Sequence, residues 1–177
     1  MPDTASGPGE KILEQVRRAR ESHLAPEAEE PSQQYLSFRL EEGWYALRVE
    51  WLVEVLPLPK ITRVPCVPDH ILGVMNLRGE VLSVIDPKRL FSLSQEKPAT
   101  DPAIVVVEHG GVRTGLLVDA VGDLVNLTPT DFTEEPVVVG KAQRSCFGGA
   151  ARLGDVPVSL IHLESLLHLE GMYSSVE

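Results

Sequence analysis

At 177 residues, with 43% apolar and 24% charged side chains, the chain can bury a core and is too apolar to be disordered throughout. Sixteen basic residues against 26 acidic ones give a formal charge of -10, which argues against a phosphate-tracking surface and so against nucleic acid as a partner. Pro2 to Gly9 lack the basic-then-apolar order of a secretory signal, and no apolar run approaches the roughly 18 residues that span a bilayer. A cytoplasmic chain without direct membrane insertion is expected.

Residues 1–34 differ from everything that follows and read as a flexible N-terminal extension. Within it, Glu10 to Leu24 places Leu13, Val16, Ala19 or Arg20, His23 and Leu24 near one helical face, with Glu14 four residues before Arg18. A short amphipathic helix is expected. A lone helix of this length is marginal in water, so the reading is a solvated, partly frayed helix rather than a docked one. Ala25 to Gln34, with Pro26 and Pro31, reads as a linker.

From Tyr35 the pattern becomes short apolar runs broken by Gly and Pro, and it repeats. Tyr35 to Leu58 lies over Ile104 to Leu127 without a gap: Leu36 meets Val105, Phe38 meets Val107, Leu47 meets Leu116, Val49 meets Val118 and Val55 meets Leu124. Acid also meets acid, Glu50 with Asp119 and Glu54 with Asp123. Further on, Gly79-Glu80-Val81 is echoed by Gly154-Asp155-Val156, and the helix start at Asp86-Pro87-Lys88 by His162-Leu163-Glu164. Two copies of one β-rich unit, each of about five short strands, are expected to pack together. An apolar helix near Ile161 to Leu169 would close one face, and the junction would leave a groove suited to a ligand or a partner helix. The expected bounds are an extension over 1–34, a two-unit domain over 35–170 and a tail over 171–177.

Ile71 to Asp86 reads as two strands around a tight turn, with Gly79 supplying the backbone freedom and Arg78 at the corner. A guanidinium suits a carboxylate partner, and Glu54 is the natural one. In the second copy Arg152 stands one place earlier relative to the glycine, a step that turns a strand side chain to the other face. The fold then tolerates a corner without the arginine, which favours a contact role for Arg78 over a structural one. Leu52, Val55, Leu56 and Leu58 are more apolar than a short connection needs, and Pro57 and Pro59 favour an edge strand or exposed turn.

Catalytic and cofactor signatures do not emerge. No phosphate loop, dinucleotide fingerprint or nucleophile elbow is present, and the five histidines lack ligand spacing. Cys66 and Cys146 stand outside any C-x-x-C spacing, so reduced thiols are expected, with no disulfide framework and no metal. Cys146 beside Arg144 lacks a neighbouring base that would activate it. A non-enzymatic binding protein without cofactor is the reading.

Tyr35-Leu36-Ser37-Phe38, Trp44-Tyr45-Ala46-Leu47, Val53-Glu54-Val55-Leu56, Ile71-Leu72-Gly73-Val74-Met75-Asn76-Leu77-Arg78-Gly79, Val84-Ile85-Asp86 and Gly115-Leu116-Leu117-Val118-Asp119, in that order, resemble the CheW family of chemotaxis coupling proteins. The resemblance covers residues 35 to about 170. It implies a mainly β fold of two SH3-like five-stranded β-barrel subdomains with short helices. It also implies a cytoplasmic adaptor that links the cytoplasmic tips of methyl-accepting chemoreceptors to the regulatory domain of a CheA-type histidine kinase, in membrane-associated arrays. Carried over position by position, receptor binding would use Leu52, Glu54, Gly73, Arg78 and Gly79. Kinase binding would fall around Leu56, Leu58 and Ile61. Pro87 and the long charged extension depart from a minimal coupling protein and hint at a specialised pathway, such as gliding, surface sensing or second-messenger control. A small-ligand-binding β-barrel is the remaining alternative.

Overall fold

The computed structural model describes residues 12–18, 31–95, 98–134 and 144–174, with side chains through residue 168. Helix α1 spans residues 12–18. Then come β1 (Gln33–Leu40), β2 (Gly43–Arg48), a 3-10 turn at Val49–Trp51, β3 (Leu52–Pro57), β4 (Ile71–Leu77), β5 (Glu80–Ile85) and α2 (Pro87–Leu90). The second half gives β6 (Ala103–His109), β7 (Val112–Val118), β8 (Ala120–Leu127), the short β9 (Phe132–Thr133), β10 (Phe147–Leu153), β11 (Val156–Ile161) and α3 (Leu163–Ser174). α3 continues past residue 170, where a tail was expected to begin.

The repeat is visible strand by strand: β1, β2 and β3 correspond to β6, β7 and β8, and β4, β5 and α2 to β10, β11 and α3. Its units are not the structural units, however. One sheet runs β8-β1-β2-β11-β10-β9 and the other β3-β6-β7-β5-β4, so each is assembled from both copies. The exchange happens where the third strand leaves its own hairpin. A single 3-10 turn separates β2 from β3, and Asp119 alone separates β7 from β8, so each chain crosses directly into the neighbouring sheet. Two parallel pairings, β11 with β2 and β5 with β7, complete the sheets and join segments far apart in sequence. The mainly β fold of two packed parts is as expected, but the two copies exchange strands, so each sheet is assembled from both. Neither sheet is closed by a continuous ladder in hydrogen-bonding order.

Alternation explains the packing. On β6, Val105 and Val107 enter a central cluster shared by both sheets, while Ile104 and Val106 enter a second cluster with Met75, Leu82 and Val84 inside the five-stranded sheet. On β1 and β2, Leu36, Phe38 and Leu47 point to the central cluster, and Tyr35 and Ala46 to a third cluster with Leu127, Val158 and Leu160. Both faces are covered, so these strands read as continuous apolar runs. Phe91 after α2 and Leu163 and Leu166 of α3 close the central cluster, where Phe91 and Phe147 lie 4.8 Å apart. Asp86 caps α2, its Oδ1 accepting from Lys88 N at 3.0 Å, with Pro87 in the first turn as its fixed φ favours.

Two sequence expectations change. Helix α1 is docked rather than solvated: Ile12 and Val16 are buried in the central cluster. The register of the second corner also differs. Leu77 pairs with Glu80 and Leu153 with Val156, so Arg78 corresponds to Gly154, and Arg152 to Asn76. Both corners are two-residue loops, but positive φ is needed at both central residues of the first and only at Gly154 in the second. Matching glycine to glycine therefore slipped the comparison by one residue.

Candidate functional site

Arg78 and Gly79 form the β4–β5 loop with φ of 50° and 87°, the left-handed pair that suits strand twist. Asn76 supports it, its Oδ1 accepting from Gly79 N at 2.9 Å. The loop aims the guanidinium outward. The Arg78 side chain is 78% exposed, yet its Nη2 donates to Glu54 Oε2 at 3.0 Å, and the Glu54 side chain is only 4% exposed. Glu54 lies on β3 and Arg78 directly follows β4, and these strands are opposite edges of the same five-stranded sheet. The pair therefore draws the two edges together where no ladder does. Glu54 Oε1 is buried and without a hydrogen-bond partner among the described residues.

More of this rim is charged. Arg113 at the start of β7 holds Glu80 through Nη1 at 2.8 Å and Glu108 through Nε at 2.8 Å. Val81 pairs with Asn76 across β4–β5 and Val112 with His109 across β6–β7, and both valines are exposed. Arg78, Glu80, Arg113 and these valines share the loop end of one sheet. Sequence reasoning missed all but Arg78, because Arg113 meets Glu108 through the β6–β7 hairpin register and Glu80 through the parallel β5–β7 pairing, which joins segments far apart in sequence.

The expected receptor residues do not all converge. Glu54, Arg78 and Gly79 meet at this rim. Leu52 is wholly buried in the central cluster and presents no surface. Gly73 sits at a bulge in β4 with φ of 146°, where Thr62 and Val74 exchange backbone hydrogen bonds of 2.8 Å and a Cβ would collide with the Thr62 carbonyl. Of the expected kinase residues, Leu56 follows Glu54 on the same face of β3, and it and Ile61 pack half-buried against the cluster inside the sheet. Leu58 is exposed just beyond the strand. Glu54 and Leu56 being two apart, the two expected surfaces adjoin along one edge strand.

A second polar centre ties α2 to the β7–β8 crossover and to the β1–β2 turn. Lys88 Nζ lies 2.8 Å from Asp119 Oδ1 and 3.7 Å from Glu41 Oε1, and Asp119 Oδ2 accepts from Glu41 N at 2.7 Å. Burial by itself would lower the Lys88 pKa, but the hydrogen bond and charge of Asp119, with Asp86 and Glu41, leave it above the ordinary value. For Asp86, burial outweighs the contacts of Lys88 and Arg89 and raises the carboxyl pKa. Cys146 and Cys66 are free thiols, the first buried, and burial pushes the Cys146 pKa up, away from reactive thiolate. Among the described residues no group of three or more His, Cys, Asp and Glu could hold a metal. No described helix is long and apolar enough to cross a membrane. What the rim offers is a held, outward-facing guanidinium beside apolar and carboxylate groups, which is recognition chemistry.

Residues 34–171 match the family model of the CheW-like domain. The chain belongs to the CheW-like domain family. It is 28% identical over 134 residues to the chemotaxis protein CheW of Helicobacter pylori, covering 76% of this chain and 81% of that protein. It is 27% identical over 138 residues to protein FrzA of Myxococcus xanthus, covering 77% and 86%. The crystal structure of the scaffolding protein TtCheW from Thermoanaerobacter tengcongensis superposes with a TM-score of 0.70 at 29% identity, covering 78% of this chain and 90% of that one. The rim, the interlocked sheets and the Lys88–Asp119 pair all lie inside the CheW-like segment, while α1 lies before it.

Proposed function

We propose that this CheW-like chain is a non-enzymatic cytoplasmic adaptor that couples chemoreceptor tips to the regulatory domain of a CheA-type histidine kinase within membrane-associated arrays. The observation that carries the reading is the Glu54–Arg78 pair, which anchors an exposed guanidinium on a rim with exposed Val81 and Val112. A receptor helix lays its apolar side on the valines while Arg78 meets a carboxylate or carbonyl, a helix-in-groove mode. The kinase contact uses the adjoining stretch from Leu56 to Ile61, where Leu58 is exposed. Coupling then needs only that the adaptor hold both partners in geometries that bias the kinase's own equilibrium.

A pull-down tests it: immobilised receptor hairpin-tip fragment retains the kinase regulatory domain when this chain is present and releases it when the chain is left out. Retention independent of the chain would contradict the adaptor reading. Pro87 and the charged N-terminal extension, which depart from a minimal coupling protein, support a second reading, the same adaptor role in a chemosensory pathway other than swimming. Deleting the chain in its host and scoring swimming against surface movement separates the two.

A further inference from the structure

Helix α1 precedes the segment that matches the family, yet Ile12 and Val16 belong to the central cluster of the domain. Four residues apart, they share one helix face and are 8% and 5% exposed, while Glu14, Gln15, Arg17 and Arg18 face solvent. The seat beneath them is thus made by the domain's own core, and a helix from outside the domain covers it. A lone helix as short as the described residues 12–18 is marginal in water, so docking holds α1 in shape. Its ion pair, Arg18 Nη2 to Glu14 Oε1 at 3.4 Å, has both side chains more than half exposed and adds little to its stability. Arg17 and Arg18 outnumber Glu14 on the outer face, and residues 34–171 carry 18 acidic against 12 basic side chains, so attraction to the acidic domain favours a basic helix in this seat.

We propose that α1 is a displaceable strap, occupying in cis an apolar seat on the central core that accepts a basic amphipathic helix, and that a second helix with branched aliphatic residues four apart takes the seat when α1 leaves. Occupancy by α1 then sets how readily such a partner helix binds, independently of the rim at Arg78. The chain would carry its own competitor.

The test is a titration of fluorescently labelled peptide 9–24 against the full wild-type chain and the full-length double variant Ile12→Ser/Val16→Ser, both checked by thermal melting. The folded double variant binds the peptide at least tenfold more tightly than wild type, and a peptide bearing the same two changes binds neither. A folded double variant that ignores the peptide, or equal binding to both chains, overturns the proposal. Should the double variant fail to fold, amide exchange of the wild-type chain decides. Amides of residues 16–18, the ones bonded within the helix, exchange at least a hundredfold faster than those of β6 and β7 if the strap opens locally. Exchange in step with those strands makes α1 an inseparable part of the core and overturns the proposal.

Discussion

Glu54 on edge strand β3 and Arg78 in the loop after the opposite edge strand β4 meet at 3.0 Å, the carboxylate buried and the guanidinium exposed. Removing Arg78 leaves a buried acceptor unsatisfied, which costs about 1–3 kcal/mol. Arg78→Ala should therefore lower the melting temperature by roughly 2–10 °C in a cooperative transition. Arg78→Gly loses the same ion pair but removes the left-handed strain of a φ of 50°, so it should be more stable than Arg78→Ala by about 1 kcal/mol. Paired thermal melts check the order; an alanine variant more stable than the glycine variant contradicts it.

Gly73 should tolerate no side chain. Gly73→Ala drives a Cβ into the Thr62 carbonyl and breaks the Thr62–Val74 bridge, at a cost of about 2–4 kcal/mol. A denaturant titration should show the midpoint falling, and loss of binding in this variant would report on the fold rather than on a contact. An unchanged midpoint would mean that the 58–70 connection moves aside freely.

The Lys88–Asp119 pair ties α2 to the β7–β8 crossover, and removing one partner strands the other charge in the core. Asp119→Asn should cost about 3–5 kcal/mol. The pH dependence has a definite sign. The folded Lys88 pKa lies above its unfolded value, so its contribution is full below about pH 10.4 and is lost as pH rises through the folded pKa. Melting temperatures from pH 8 to pH 11.5 should fall more steeply for wild type than for Lys88→Met. Parallel curves would deny Lys88 this role.

Arg113 is a contrast. Its partners Glu80 and Glu108 are exposed, so Arg113→Ala should leave the chemical-denaturation midpoint close to that of wild type. A clear fall would mean that this surface network holds the rim in place.

The strands were legible because period-two alternation and the Gly and Pro breaks survive in both copies, from Tyr35 through Leu58 and again from Ile104 through Leu127. What was not legible is which sheet each strand joins. β3 and β8 have the same pattern whether they pair at home or cross over, and only the shortness of the breaks at Val49–Trp51 and Asp119 decides it. The Arg78 corner and its Glu54 partner were readable because a forked donor stands alone in an apolar run. Leu52 was placed at the site by resemblance, though its side chain belongs to the buried face of β3. The N-terminal helix was foreseen but its stripe was phased on Leu13 and Val16. The buried pair is Ile12 and Val16, and docking depends on a seat formed by residues far away in sequence.

Recognition of a receptor helix by the exposed guanidinium of Arg78 is checked by titrating a receptor hairpin-tip fragment against wild type and Arg78→Ala. Wild type should bind near micromolar affinity, about -8 kcal/mol. The variant should melt cooperatively and bind at least tenfold more weakly, while keeping its affinity for the kinase regulatory domain. A folded Arg78→Ala that binds the receptor fragment as tightly as wild type would contradict the account.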